Sequence, residues 1–191
     1  METLPLHPKI VHIPLALAML MPLISGGVAL AWWRGWLPRR AWLIAALLHA
    51  VLSVSALVAM QTGEGDEDRV ERVVSHKHIH EHEEAAETFL WVSIGALLLA
   101  LGAAVVPDER KGLMLAAGTT ALAATAAPLA MHTGQEGGAL IYRHGAARAF
   151  YEGAEQPTTK EGAQAQENKN EADLDGDHDE DHDEGHDEGA H

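Results

Sequence analysis

Four long apolar segments constrain this chain more than any other feature. Residues 10–32, 41–61, 88–106 and 113–131 contain no Asp, Glu, Lys or Arg. An α-helix rises about 1.5 Å per residue, so roughly 20 apolar residues cross the hydrocarbon core of a bilayer. Soluble helices of this length usually carry charges on a solvent-facing side. The sequence therefore predicts an all-α integral membrane bundle of four transmembrane helices within residues 1–150.

The charge of the chain is concentrated near its C-terminus. The formal net charge is −15, and residues 152–191 hold fifteen Asp and Glu against two Lys. This composition is typical of a disordered acidic tail, which we assign to residues 151–191. The rest of the chain is nearly neutral and has no basic stripe, so nucleic acid is not expected as a partner. The absence of cysteine excludes disulfides and thiolate metal sites within the chain.

The connections between the apolar segments predict an orientation. The first connection holds Arg34, Arg39 and Arg40 and the third holds Arg110 and Lys111, whereas the longer second connection is acidic. Cytoplasmic loops carry an excess of Lys and Arg, so the first and third connections are expected in the cytoplasm. Both termini then lie on the periplasmic or extracellular side of a bacterial inner membrane.

A short repeat relates the two halves of the predicted bundle. The segment 59–63, at the end of the second apolar segment, reads AMQTG, and 130–134, at the end of the fourth, reads AMHTG. The same offset of 71 residues maps His7 onto His78. Chance similarity between alanine-rich spans is one explanation, and a pair of repeated helical hairpins is the favoured one.

The predicted topology gathers most histidines at one membrane face. Two begin the first helix, four precede the third, and two follow the apolar part of the fourth, whereas His49 lies deeper. The outer group comprises His7, His12, His76, His78, His80, His82, His132 and His144. Polar groups at membrane depth usually face the bundle interior, which favours a functional role over simple solvation at the interface.

Imidazole chemistry suggests what these residues do. Neutral imidazole binds zinc, copper, iron and nickel, and a pair on facing helices can hold b-type haem axially. The leading hypothesis is a membrane redox or electron-transfer component that binds haem b or a metal near the outer face. Its primary candidate ligands are His12, His82 and His132, and its secondary candidates are His7, His49 and His144.

The end of the tail carries a second ligand pattern. An Asp-His-Asp-Glu step recurs every four residues there, and its candidate metal ligands are Asp177, His178, Asp179, Asp181, His182, Asp183 and His186. Imidazoles beside carboxylates gather divalent zinc, copper or nickel, although a solvating tail accounts for the same composition. The second hypothesis is a divalent-metal handling or transport protein that uses this tail.

Three motifs together resemble a bacterial transmembrane family, the domain of unknown function 2231. They are HPKIVHIP at 7–14, Thr62-Gly63 followed by HEEA at 82–85, and TGQEGGALIYRHG at 133–145. The resemblance covers residues 5–148 and departs from the family at Ala139, where an acidic residue is frequent. It implies a four-helix membrane fold, and the family has no established activity.

The resemblance also implies a kind of partner. Relatives occur beside Rieske-type iron–sulfur and other electron-transfer proteins, which suggests a Rieske-type or cytochrome partner. The third hypothesis is therefore a non-catalytic membrane anchor for such a partner. Because the sequence contains no nucleophile elbow, phosphate-binding loop or zinc-protease motif, the chain is not expected to be an enzyme by itself.

Overall fold

The structure, a computed structural model, describes residues 6–150 and is all-helical over that range. In chain order the elements are α1 (His7–Ile10), α2 (His12–Trp33), a 3-10 turn (Arg39–Ala41), α3 (Trp42–Val70), α4 (His76–Val105), α5 (Glu109–Tyr142) and a second 3-10 turn (Ala146–Phe150). The described residues contain no strand. The prediction of an all-α fold is confirmed for this part of the chain.

Four helical stretches are long and apolar enough to cross a membrane. They are His7–Trp33, Arg39–Val70, His76–Val105 and Glu109–Tyr142. Each overlaps one predicted apolar segment, but the helices continue well past three of those segments into polar sequence rich in Glu, His and Gly. Apolarity marks where a helix meets hydrocarbon, whereas backbone hydrogen bonding continues beyond it. The predicted bounds were therefore too short at that end.

The four long helices pack as a ring of neighbours. α2 packs against α3 and α5, and α4 packs against the same two helices. Short connections join consecutive helices, so neighbours run antiparallel. The start of α1 and α4 and the end of α3 and α5 therefore meet at one end of the bundle, which we call the histidine end. The opposite end, with residues 33–42 and 105–111, is called the arginine end.

Small side chains fill the interior of the bundle. Buried alanines come from all four long helices and include Ala18, Ala45, Ala56, Ala100, Ala116 and Ala126. Large apolar side chains point outward instead, and Leu23, Leu47 and Leu98 are each more than 60% exposed. Small interior residues allow close helix approach, a pattern typical of helix packing in membranes.

Candidate functional site

Two histidines from different helices meet at the histidine end. His7 begins α1, and His82 lies in the second turn of α4. Their ring centroids are 6.2 Å apart, and the ring planes are nearly perpendicular, at 86°. Both side chains are half-buried. Two imidazoles thus converge from separate parts of the chain, which a metal site built from side chains requires.

Each of the two rings rests on a glycine of a neighbouring helix. A Cβ atom added to Gly63 in α3 would lie 3.1 Å from Cε1 of His7. One added to Gly137 in α5 would lie 3.1 Å from Cε1 of His82. Both distances are shorter than ordinary van der Waals contact, so the missing side chain at each glycine provides the space that the ring occupies.

The orientation of His7 is fixed by a backbone hydrogen bond. Its Nδ1 lies 2.8 Å from the carbonyl oxygen of Ala59, one helical turn before Gly63. A carbonyl oxygen only accepts, so Nδ1 carries the hydrogen and donates it. Nε2 then keeps its lone pair. Metal-binding histidines are commonly oriented in this way, with the second ring nitrogen donating to a backbone carbonyl.

His82 occupies a similar seat but keeps an unused nitrogen. The backbone of Thr133 lies close to its ring, one helical turn before Gly137, and His7 and Glu136 lie within electrostatic range. Its Nδ1 is buried and has no hydrogen-bond partner among residues 6–150. Buried polar atoms are normally partnered, so this nitrogen is a donor atom that the protein fold alone does not use.

The two seats do not follow the sequence repeat. Gly63 and Gly137 are 74 residues apart, whereas the repeated pentapeptides are offset by 71. The repeat maps His7 onto His78, but the residue seated like His7 is His82, one helical turn later. The duplication of the hairpins stays a prediction, because a similar environment at one end does not require repeated helices.

The other primary candidates lie away from this pair. His12 is exposed on α2. His132 is exposed on α5, and its Nδ1 lies 3.8 Å from Oε1 of Glu136. In the described part of the chain, His82 is therefore brought together with His7 rather than with His12 or His132.

The secondary candidates take three different positions. His7 belongs to the pair. His144 stacks on His78, with ring centroids 3.8 Å apart and ring planes 20° from parallel. His49 is fully buried in the bundle, about 20 Å from Gly63 along α3. The tail candidates, with His178, His182 and His186 and their neighbouring aspartates, lie outside the described residues.

The proposed haem ligands were tested against this geometry. Axial ligation needs two imidazoles on opposite sides of one iron and a porphyrin-sized space between them. His12 and His132 are exposed, and the space beside His82 is occupied by His7 and Gly137. An apolar groove at α3, lined in part by Ile13 and Val54, contains no histidine. The residues do not fit haem held by the predicted set, and haem binding stays a prediction.

An exposed cluster lies beside the pair. Ligand atoms of Glu67, Glu71 and His76 lie within 4.8 Å of one another, and Nε2 of His76 is 3.4 Å from Oε1 of Glu71. The sequence reasoning missed this cluster because it treated the region as a loop. Glu71 and His76 are exposed, so water competes strongly for any ion there. The cluster adds negative charge near the site rather than a second enclosed site.

Comparison with protein-family models, with curated proteins and with solved structures finds no match for this chain. The resemblance to the domain of unknown function 2231 therefore stays a prediction. The sequence reasoning named His7 and His82 separately and missed that they are partners. It also missed Gly63, Gly137 and Glu136. The signal was a glycine in each extended helix end, facing the start of a histidine-bearing helix.

Proposed function

We propose that this chain is a multi-pass membrane protein that binds a divalent transition-metal ion at the His7–His82 pair. The observation that carries the proposal is the convergence of these two imidazoles on glycine seats, with ring centroids 6.2 Å apart. Two imidazoles bound to one zinc at ordinary Zn–N distances have centroids about 5–6 Å apart. A movement of a few tenths of an ångström brings the observed pair into that range.

Glu136 is the proposed third ligand. It lies within electrostatic range of His82, and its Oε1 is 3.8 Å from Nδ1 of His132. Two imidazoles and one carboxylate form a donor set used by zinc, with a fourth position left for water or a transferred ligand. Copper and nickel also accept imidazole and carboxylate, so the donor set defines a class of ions rather than one metal.

The membrane setting is part of the proposal. The outward-facing leucines and the small interior residues support insertion of the four long helices in a bilayer. Arg34, Arg39, Arg40, Arg110 and Lys111 occupy the end opposite the histidines. The positive-inside rule then places the histidine end and both termini in the periplasm or outside the cell. The similar seats of His7 and His82 support repeated hairpins.

A role in metal handling follows from these parts. A half-buried site at the outer membrane face can receive an ion from solution, and the Asp-His repeat of the tail is proposed to raise its local concentration. Such a tail binds weakly because its geometry is not preorganised. The bundle pair is therefore the proposed site of tighter binding. Haem binding and the redox partner stay predictions from the sequence.

Metal binding by the purified full chain tests the proposal. Detergent-solubilised protein is titrated with Zn²⁺, Cu²⁺ and Ni²⁺ by calorimetry, with elemental analysis after dialysis. We expect His7→Gln and His82→Gln each to weaken the tightest site by more than the roughly 10–100-fold that loss of a supporting group costs. The tail is identical in all variants, so its weak sites cancel in the comparison.

Matched controls come from the same helices. His12 lies on α2 near His7, and His80 lies on α4 near His82, and both are exposed. We expect His12→Gln and His80→Gln to leave the tight site unchanged. Folded His7→Gln and His82→Gln proteins that bind all three ions like the unaltered chain would refute the proposal. A Soret band in the spectrum of the reduced protein would instead support the haem hypothesis.

A further inference from the structure

His49 is a fully buried polar residue in the interior of the bundle. It lies on α3 with no exposed surface, about 20 Å along the helix from the His7–His82 pair. Neither Nδ1 nor Nε2 has a hydrogen-bond partner among residues 6–150. A neutral imidazole presents one N–H donor and one lone pair, and leaving both unused in an apolar interior is strongly unfavourable. The ring therefore requires a partner that the protein does not supply.

Hydroxyl groups surround this depth of the bundle, but their hydrogens are already used. Ser53, one turn from His49 on the same face of α3, donates its hydroxyl hydrogen to the carbonyl oxygen of Ser93 at 3.2 Å. Ser93 donates its own to the carbonyl oxygen of Phe89 at 2.8 Å. Both hydroxyl oxygens keep lone pairs. The neighbourhood thus offers acceptors to His49 and no free donor.

The other two helices show the same arrangement. Ser25 of α2 donates to the carbonyl oxygen of Met21 at 2.6 Å, and Thr119 of α5 donates to that of Leu115 at 3.0 Å. Both side chains are fully buried. The apolar segments that contain these residues carry no Asp, Glu, Lys or Arg. His49 therefore faces hydroxyls from α2, α4 and α5 and no other titratable group.

We propose that His49 is a proton-binding site in the bundle interior, served by a water molecule held between the imidazole and the Ser53 and Ser93 hydroxyl oxygens. Water supplies the donor that the ring lacks and also accepts, and buried waters typically satisfy such groups. Protonation transfers one proton from hydronium to the free ring nitrogen, so an O–H bond breaks, an N–H bond forms and neutral water remains. The acceptor-rich surroundings stabilise the resulting imidazolium.

Solid-state NMR of the full chain in phosphatidylcholine vesicles, with ¹⁵N-labelled histidine, tests the site. The His49 signals are identified by their loss in His49→Gln. We expect a water-proton contact to the ring and a change from one to two protonated ring nitrogens as the pH falls through the histidine range, about 8 to 5. A single neutral tautomer without water contact throughout that range would overturn the proposal.

Two serines of α3 provide a matched pair of variants. Ser53→Ala removes a hydroxyl from the proposed water site, whereas Ser55→Ala removes one that lines the outer groove. We expect Ser53→Ala to lower the proton affinity of His49 about fivefold, as loss of one hydrogen bond does, and Ser55→Ala to leave it unchanged. Equal titration in both variants would contradict the assignment. His7→Gln is expected to leave the His49 signals unaltered, which separates this site from the metal site.

Discussion

The arginine end and the histidine end of the bundle both bury polar side chains, but they treat the hydrogen-bonding atoms differently. At the arginine end, the indole N–H of Trp42 donates to the carbonyl oxygen of Ala100 at 2.9 Å. The indole N–H of Trp32 donates to Oε1 of Glu109 at 3.2 Å. At the histidine end, Nδ1 of His82 is equally buried and has no partner among the described residues.

Arg39 completes the contrast at the arginine end. Its guanidinium donates to the carbonyl oxygens of Ala103 and Ala104 at 3.0 and 3.1 Å and also to that of Val106. These carbonyls end α4, where a positive charge also complements the helix dipole. Arg39 further lies 5.8 Å from the centroid of the Trp32 ring. One side chain thus joins the first connection to the end of α4.

The difference teaches what each end is built to do. Partnered polar groups contribute to stability, whereas unpartnered nitrogens held in fixed positions are available to a ligand. The arginine end is therefore expected to govern the free energy of unfolding. The histidine end is expected to govern metal affinity with smaller effects on folding.

Replacing Arg39 is the largest test of this division. We expect Arg39→Ala to lower the free energy of unfolding by about 2–3 kcal/mol, because charge-assisted bonds to several carbonyls are lost. Arg39→Lys should lie between the two, since an ammonium group cannot span the same acceptors. Reversible unfolding in mixed micelles measures the effect, and exposed Arg40→Ala is the control. Equal stability of the Arg39 and Arg40 variants would break the comparison.

Gly112 offers a smaller test at the same end. A Cβ atom there would lie 2.9 Å from Cη2 of Trp32 and 3.4 Å from the carbonyl oxygen of Ala103. We expect Gly112→Ala to cost about 1–2 kcal/mol, because overpacking outweighs the gain in helix propensity. Gly27, whose added Cβ would meet nothing within 4 Å, is the control and should gain up to about 1 kcal/mol. A stabilised Gly112→Ala protein would show that Trp32 moves freely.

The sequence predicted the helices better than the contacts between them. Four charge-free segments are a local property, and the structure has a long apolar helix at each one. The pairing of His7 with His82 depends on how far α1, α4 and α5 are shifted along one another. A shift of one turn exchanges His78 for His82, and composition does not specify that shift.

The tryptophans illustrate the same limit. Trp32 and Trp33 are adjacent in sequence and both suit a membrane interface. In the structure Trp32 is 3% exposed and Trp33 is 64% exposed. The difference arises because the Trp32 ring packs over Gly112 of α5, which has no side chain at that point. Which tryptophan enters the core is decided by a glycine on another helix, and no periodicity within α2 indicates it.

Gly137 provides the smallest and most selective test, at the histidine end. Gly137→Ala should displace the His82 ring by a few tenths of an ångström, because the added Cβ would lie 3.1 Å from Cε1. We expect metal affinity to fall about 3- to 10-fold, toward the lower end of the loss seen for supporting groups. Gly138→Ala is the matched control, since its Cβ would meet nothing within 4 Å.

Both substitutions add an alanine to the same turn of α5 and should raise helix stability alike, by up to about 1 kcal/mol. The difference between them in calorimetric titrations therefore isolates the seat of His82 from the propensity of the helix. Lower metal affinity in Gly137→Ala, with unfolding free energies equal in the two variants, would place ligand binding and stability at opposite ends of the bundle. Equal metal affinities would mean that the ring does not need its seat, and the division between the two ends would then rest on the arginine end alone.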